Sequence, residues 1–201
     1  MRKELTFGCS VTAAAQVPRQ APHPLLSTYP YGRRLQMGVG GEVDVGETSC
    51  QSLHEAVSKL DRRGVAWFLQ RQPESVVHRD EDLRTPLLLA AAAGDCTTCT
   101  LLIRRMATYD AKAINWPDAS GLTPLHWACT QQKVEAVAML LRHSASTSAQ
   151  DDDERTPLHV AAFSGNARTV SLLLPHVPHA GLNAPSGDGL TPLHYAALSG
   201  G

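Results

Sequence analysis

The sequence predicts an all-α solenoid of stacked helical repeats, and three observations predict it. The word Thr-Pro-Leu returns at Thr85, Thr123, Thr156 and Thr191, separated by 38, 33 and 35 residues. Each copy leads into a small apolar pair, namely Ala90-Ala91, Ala128-Cys129, Ala161-Ala162 and Ala196-Ala197. After the first three copies comes a second apolar stretch: Cys99-x-Leu101-Leu102-Ile103, Val137-x-Met139-Leu140-Leu141 and Val170-x-Leu172-Leu173-Leu174. A shared internal pattern at this period marks a stack in which each unit buries its apolar face only against its neighbours.

Taken in chain order, residues 1–48 carry Pro18, Pro22, Pro24 and Pro30 and then the glycine-rich MGVGGEVDVG, with no helical or alternating apolar period. They read as a disordered tail or linker that cannot bury enough surface to offset its ordering entropy. The array occupies 49–201. Its first unit, 49–82, is degenerate: a weak copy begins at Gln51 (QSLHEAV) and lacks the Thr-Pro start and the helix-ending glycine, yet keeps Val65-x-Trp67-Phe68-Leu69. Units follow over about 83–120, 121–153 and 154–188, with a half unit over 189–201.

Within a unit, the threonine is a helix cap whose loss costs about 1 kcal/mol. Proline in the first helical position forfeits nothing by lacking an N–H. Leu87, Leu125, Leu158 and Leu193 are expected to point inward, and the small pairs keep the helix thin enough for a neighbour to approach. Gly94 and Gly165 supply left-handed turns out of the first helix. After Ser199-Gly200-Gly201 no second helix follows. The expectation is a fragment or truncated form, or an end that something else covers.

TPLHWAC, TPLHVAAFSGN and TPLHYAALSG, followed where the chain permits by V-x-L/M-L-L and preceded by a D-x-x-G-x turn or its equivalent, resemble the ankyrin repeat over about 150 residues. The resemblance implies helix–turn–helix units joined by projecting β-hairpin fingers. It also implies a structural role for His126, His159 and His194, hydrogen-bonded around the capping threonines. Leu88 stands where a histidine is expected. Asn115 and Asn183, eight residues before their threonines, occupy a place where ankyrin arrays tie down a finger and accept hydroxylation; the third finger has Ser148 there. The closing segment also resembles inversin-type arrays.

Composition narrows the function. The chain is 43% apolar and only 5% aromatic, with a net charge of −1, so no overall charge favours nucleic acid or an anionic membrane. Five scattered cysteines read as reduced, which places the protein inside the cell, in the cytoplasm. The start MRKELTFGCSVTAAAQ faintly resembles a secretory signal, but Glu4, Thr6, Gly8, Ser10 and Thr12 interrupt it. No apolar run approaches the roughly 20 residues of a membrane-spanning helix, so no membrane insertion is expected.

Several motifs hint at chemistry. Gly41-Glu-Val-Asp-Val-Gly46-Glu47-Thr48 misses the phosphate-binding loop because Glu47 replaces the lysine. Cys96-Thr-Thr-Cys99 has metal or redox spacing but lacks a second pair, and Cys99 aligns with Val137 and Val170 on a core face. The TPLH histidines recur once per unit, which a catalytic residue has no reason to do, and His176-Val-Pro-His179 lies in a proline-bounded loop. No Ser-His-Asp, HExxH or paired-carboxylate grouping presents itself. No enzyme activity, cofactor or metal is expected.

Recognition should then lie where the copies differ. One set follows the small pair on the concave side of the first helices: Ala92, Thr130, Phe163 and Leu198, with Ala93, Gln131, Ser164 and Ser199 beside them. Phe163 and Leu198 read either as an apolar anchor or as side chains half-covered by the adjacent unit. The other set is the finger tips, His78-Arg-Asp-Glu-Asp82, Asp118-Ala-Ser-Gly121, Asp151-Asp-Asp-Glu154 and Ser186-Gly-Asp-Gly189. Their acids read either as a ridge that steers a basic segment of a protein partner, with Glu81, Asp82, Ser120, Asp152, Asp153 and Asp188 in contact, or as ordinary turn chemistry. The expected function is a protein-binding scaffold or adaptor that can also self-associate through its open C-terminal end. The alternatives are a regulatory or substrate-selecting segment of a larger enzyme or channel continuing past Gly201, and a truncated product without a stable fold.

Overall fold

The computed structural model describes residues 49–200. The predicted tail, the near-miss phosphate loop and the signal-like start lie outside the described residues. Nine α-helices form among the described residues: α1 (Leu53–Ser58), α2 (Arg62–Arg71), α3 (Pro86–Ala93), α4 (Cys96–Met106), α5 (Pro124–Thr130), α6 (Val134–Arg142), α7 (Pro157–Phe163), α8 (Ala167–Leu173) and α9 (Pro192–Ser199). Consecutive helices pair as α1/α2, α3/α4, α5/α6 and α7/α8. The first helices pack in one row, α1, α3, α5, α7 and α9, and the second helices α2, α4, α6 and α8 in another.

Local chemistry sets these boundaries. Thr85 Oγ1 accepts the Leu88 N–H at 3.2 Å, and proline opens α3, α5, α7 and α9. Gly94 (φ 81) and Gly165 (φ 68) make the left-handed turns out of α3 and α7. Gln132 (φ 54) and Leu60 (φ 56) adopt the same conformation in the units without glycine there. The second helices are capped in turn: Asp95 Oδ1 accepts the N–H groups of Thr97 and Thr98, and Asn166 Oδ1 that of Thr169.

In the first unit the cap is displaced by one residue from the Thr-Pro-Leu register. Ser52 Oγ accepts the Glu55 N–H at 3.1 Å, and Glu55 Oε2 accepts the Gln51 N–H at 2.6 Å. Ser-x-x-Glu is itself a helix-start signature, which explains why α1 forms without Thr-Pro.

Burial follows the stack and corrects one expectation. Leu87, Leu125 and Leu158 are at most 3% exposed, but Leu193 is 77% exposed. The first three are enclosed by their own second helix and the next unit, while α9 packs chiefly on α7 and the turn His179–Asn183. Enclosing a leucine contributes about 2 kcal/mol, which Leu193 does not collect here. The same asymmetry marks the second row. Helix α6, between α4 and α8, buries Ala136, Val137, Met139, Leu140 and Leu141, whereas α8 buries Thr169 and Leu173 and leaves Leu174 exposed.

The connections fold back as hairpin-shaped turns, and no β-strand forms among the described residues. Each turn is closed by one long and one short bond: Asp80 N–H to Arg84 O with Leu83 N–H to Asp80 O, then the equivalent pairs over Asp118–Leu122, Asp151–Arg155 and Ser186–Leu190. One cross-turn bond per finger is too little for a ladder. Successive fingers are nevertheless joined, by Ala119 N–H to Asp82 O (2.9 Å), Asp152 N–H to Ser120 O (3.2 Å) and Gly187 N–H to Asp153 O (2.8 Å).

Candidate partner-binding surface

The TPLH histidines fasten the frame on which any binding surface is carried. His126 and His159 are fully buried. In each, Nδ1 accepts the backbone N–H of the capping threonine at 3.1 Å, with the threonine hydroxyl 2.9 Å away. The proton therefore resides on Nε2, which donates into the next unit, from His126 to Arg155 O (3.1 Å) and from His159 to Leu190 O (3.2 Å), with Ala184 O of the same unit also 3.0 Å from His159. His54 reaches Arg84 O in the same way at 2.9 Å. Burial pushes the pKa of all three below the usual imidazole value. His194 repeats the threonine contact but is exposed.

The finger acids divide into two groups. Asp80, Asp118 and Asp151 turn inward and hold their own turns. Asp151 Oδ1 accepts the N–H groups of Asp153 and Arg155, and its Oδ2 pairs with Arg155 Nε at 2.9 Å; Asp80 does the same with Asp82, Arg84 N–H and Arg84 Nε. Asp118 Oδ2 instead accepts the Trp127 indole N–H at 2.8 Å. Asp82 and Asp153, predicted contact residues, are exposed but each lies against the arginine of its own turn, Arg84 Nη2 at 3.0 Å and Arg155 Nη2 at 2.9 Å. Glu81, Ser120, Asp152 and Asp188 are exposed, as is Glu154. The spacing Asp-x-x-x-Arg in HRDEDLR and DDDER carries this division in the sequence, since i and i+4 across a tight turn can pair.

On the first-helix row, Thr130 and Gln131 are exposed and Ser164 half-buried. Thr130 Oγ1 donates to His126 O, and the Gln132 amide donates to Ser164 O at 3.0 Å. Phe163 is 57% and Leu198 66% exposed. Both stand at the same place on α7 and α9, which pack together. Tyr195, nearly buried, meets Phe163 edge-on at 6.1 Å and His159 at 5.4 Å, which fixes the ring at the base of this apolar pair.

The remaining candidates take ordinary places. Cys99 and Cys129 are buried and their thiols are pushed up to about 12 by burial, so they behave as small hydrophobes. His176 and His179 are exposed, and His176 offers its carbonyl to Thr147 Oγ1. Asn115 and Asn183 each end a short 3-10 turn, Ala111–Asn115 and His179–Asn183. Asn115 Oδ1 accepts the Ser146 N–H of the next unit at 2.8 Å, while Asn183 is exposed. No helix among the described residues is long and apolar enough to cross a membrane.

A family model described as ankyrin repeats (3 copies) matches residues 53–151 and again 143–201. The chain belongs to the ankyrin repeat family. Its ankyrin segment is 34% identical to inversin of Canis lupus familiaris over 124 residues, 61% of this chain and 11% of that protein. It is 29% identical to transient receptor potential cation channel subfamily A member 1 of Homo sapiens over 155 residues, 77% of this chain and 14% of that one. Protein glp-1 of Caenorhabditis elegans is 32% identical over 130 residues, 61% of this chain and 10% of its own length. The chain thus spans 10 to 14% of the length of these relatives. Ankyrin repeats are protein-interaction modules, and the ankyrin frame described here leaves its variable side chains at the finger tips and along the first helices.

Proposed function

We propose that this ankyrin array is a scaffold or adaptor that binds a protein partner through its fingers and first-helix row. The observation that carries the reading is the exposure of two large apolar side chains, Phe163 and Leu198, at equivalent positions on the adjacent helices α7 and α9, with Tyr195 at their base. Thr130, Gln131 and Ser164 flank that anchor with groups able to hydrogen-bond. Glu81, Asp82, Ser120, Asp152, Asp153 and Asp188 line the fingers and favour a basic segment, whose approach they accelerate. Stacked units hold these groups in place before binding and so lower its entropy cost.

Capture from cell extract tests this, with the native chain beside an Asp152→Lys, Asp153→Lys, Phe163→Ala variant of matched melting temperature. Specific partners should vanish only for the variant, and their association should slow as salt rises. Equal capture by both would refute the reading.

The short span of the chain on its long relatives favours a second reading: the array selects substrates for, or regulates, a larger enzyme or channel. A native protein much heavier than 21.6 kDa on immunoblots distinguishes it. Two smaller proposals accompany the first. The exposed Leu193 face of α9 supports self-association, which a concentration-independent monomer mass excludes. Asn115 and Asn183 are proposed hydroxylation positions, read out as a gain of one oxygen in peptide mass after treatment with an asparaginyl hydroxylase.

A further inference from the structure

Cations that the fingers do not absorb gather on the second helices. The two positions after each second apolar stretch read Gln70-Arg71, Arg104-Arg105, Arg142-His143 and Pro175-His176. Arg71, Arg104, Arg105 and Arg142 lie in the last turns of α2, α4 and α6, all exposed, and none forms an ion pair among the described residues. Because α2 packs on α4 and α4 on α6, equivalent residues stand one helix-to-helix step apart, about 10 Å. Two carboxylates share this edge. Glu74 is exposed just beyond α2, and Asp110 Oδ1 is occupied by the Lys112 N–H at 2.8 Å. Favourable placement at a helix C-terminus accounts for one basic residue per helix. It does not account for Arg104 and Arg105 side by side, or for recurrence in one register with no carboxylate paired to these arginines.

We propose that this arginine row docks an extended acidic segment of a protein, with carboxylates at every third residue. An acidic segment in the extended polyproline II form rises about 3.1 Å per residue with three residues per turn, so every third side chain returns to the same face about one helix-to-helix step further on. Arginine suits the task because its planar fork holds a carboxylate through two parallel hydrogen bonds. A nucleic acid or an anionic bilayer would extend past the row toward the acidic fingers of a chain with net charge −1, and would be repelled there. A short peptide stays on the row. This inference rests on the array being a protein-binding module, and it adds a second contact surface on the other set of helices.

Fluorescence anisotropy tests it with the full chain and a short labelled peptide of serine and glycine carrying glutamate at every third position. An Arg104→Glu, Arg105→Glu, Arg142→Glu variant should bind this peptide about tenfold more weakly or worse, since each exposed pair contributes little singly and three are reversed. A peptide of the same composition with contiguous glutamates should bind the native chain less well. Should charge reversal lower the melting temperature, Arg104→Gln with Arg105→Gln gives the same reading in smaller measure. Absence of binding, equal affinity for native and altered rows, indifference to glutamate spacing, or tighter binding to phosphatidylserine vesicles or an oligothymidylate would each overturn the proposal. The Asp152→Lys, Asp153→Lys, Phe163→Ala variant should hold the peptide as the native chain does, so failure of the finger reading is seen separately.

Discussion

His126 Nε2 donates to the carbonyl of Arg155 at 3.1 Å, joining the start of one unit's first helix to the residue that precedes the next unit's cap. Leu88 occupies the equivalent place in the second unit and is 1% exposed, so the site accepts leucine sterically. His126→Leu should therefore fold but lose about 1 to 3 kcal/mol, because the Thr123 N–H is left buried without a partner and the Arg155 carbonyl keeps only the N–H of Asp151. Urea denaturation of both proteins measures the difference.

The same burial makes the array acid-sensitive. His54, His126 and His159 have folded pKa values below the 6.5 of free imidazole. Above that value both states are neutral and stability is complete. As pH falls below it, the unfolded chain takes up protons that the folded one refuses, and stability declines until the folded values are passed. Each histidine removes up to about 1.4 kcal/mol per pH unit in that window. Melting temperatures between neutral and mildly acidic pH should fall steeply for the native chain and less so for His126→Leu with His159→Leu.

Two finger glycines separate backbone strain from crowding. Gly121 (φ +77) and Gly189 (φ +76) share a conformation, but a Cβ at Gly121 would lie 2.7 Å from the Asp152 nitrogen and 2.8 Å from Asp151 Cα, while nothing lies within 4 Å at Gly189. Gly189→Ala should cost about 1 to 2 kcal/mol for the left-handed conformation alone. Gly121→Ala should add about 1 to 3 kcal/mol of overpacking to that figure. Thermal denaturation of the pair gives the contrast, and equal losses would show that the next finger yields freely.

Neighbouring aspartates should behave in opposite ways. Asp151→Ala strips acceptors from two backbone N–H groups and the partner from Arg155, at a cost of about 2 to 3 kcal/mol. Asp152→Ala removes an exposed carboxylate and should leave the denaturation midpoint unchanged. A matching loss at both positions would mean that the finger acids form one framework and none is free for a partner.

Local chemistry was legible in the sequence to the extent that its causes are local. The Thr-Pro caps at Thr85, Thr123, Thr156 and Thr191 and the buried Leu87, Leu125 and Leu158 follow from spacing and side-chain type within a unit. Leu193 has the same spacing and type yet is exposed, because enclosure depends on a neighbour that its own segment does not encode. The fingers show the converse. A tally of acids suggests one continuous negative edge, but a carboxylate four residues before an arginine across a tight turn folds inward, and Asp80 and Asp151 do so. For Phe163 the structure shows 57% exposure and an edge contact to Tyr195, a ring partly covered by the next unit and otherwise open.

The backbone bonds from Ala119 N–H to Asp82 O, Asp152 N–H to Ser120 O and Gly187 N–H to Asp153 O give the finger edge a mechanical property that the second-helix edge lacks. Separation along that edge is tied by one directional main-chain bond per unit, whereas side-chain packing between second helices is non-directional and has no such tie. Bending of the array should therefore pivot about the fingers and open or close the helical edge. A ligand spanning several tips meets a ruler of fixed pitch, while one lying along the arginine row meets a scale whose divisions change as the array flexes.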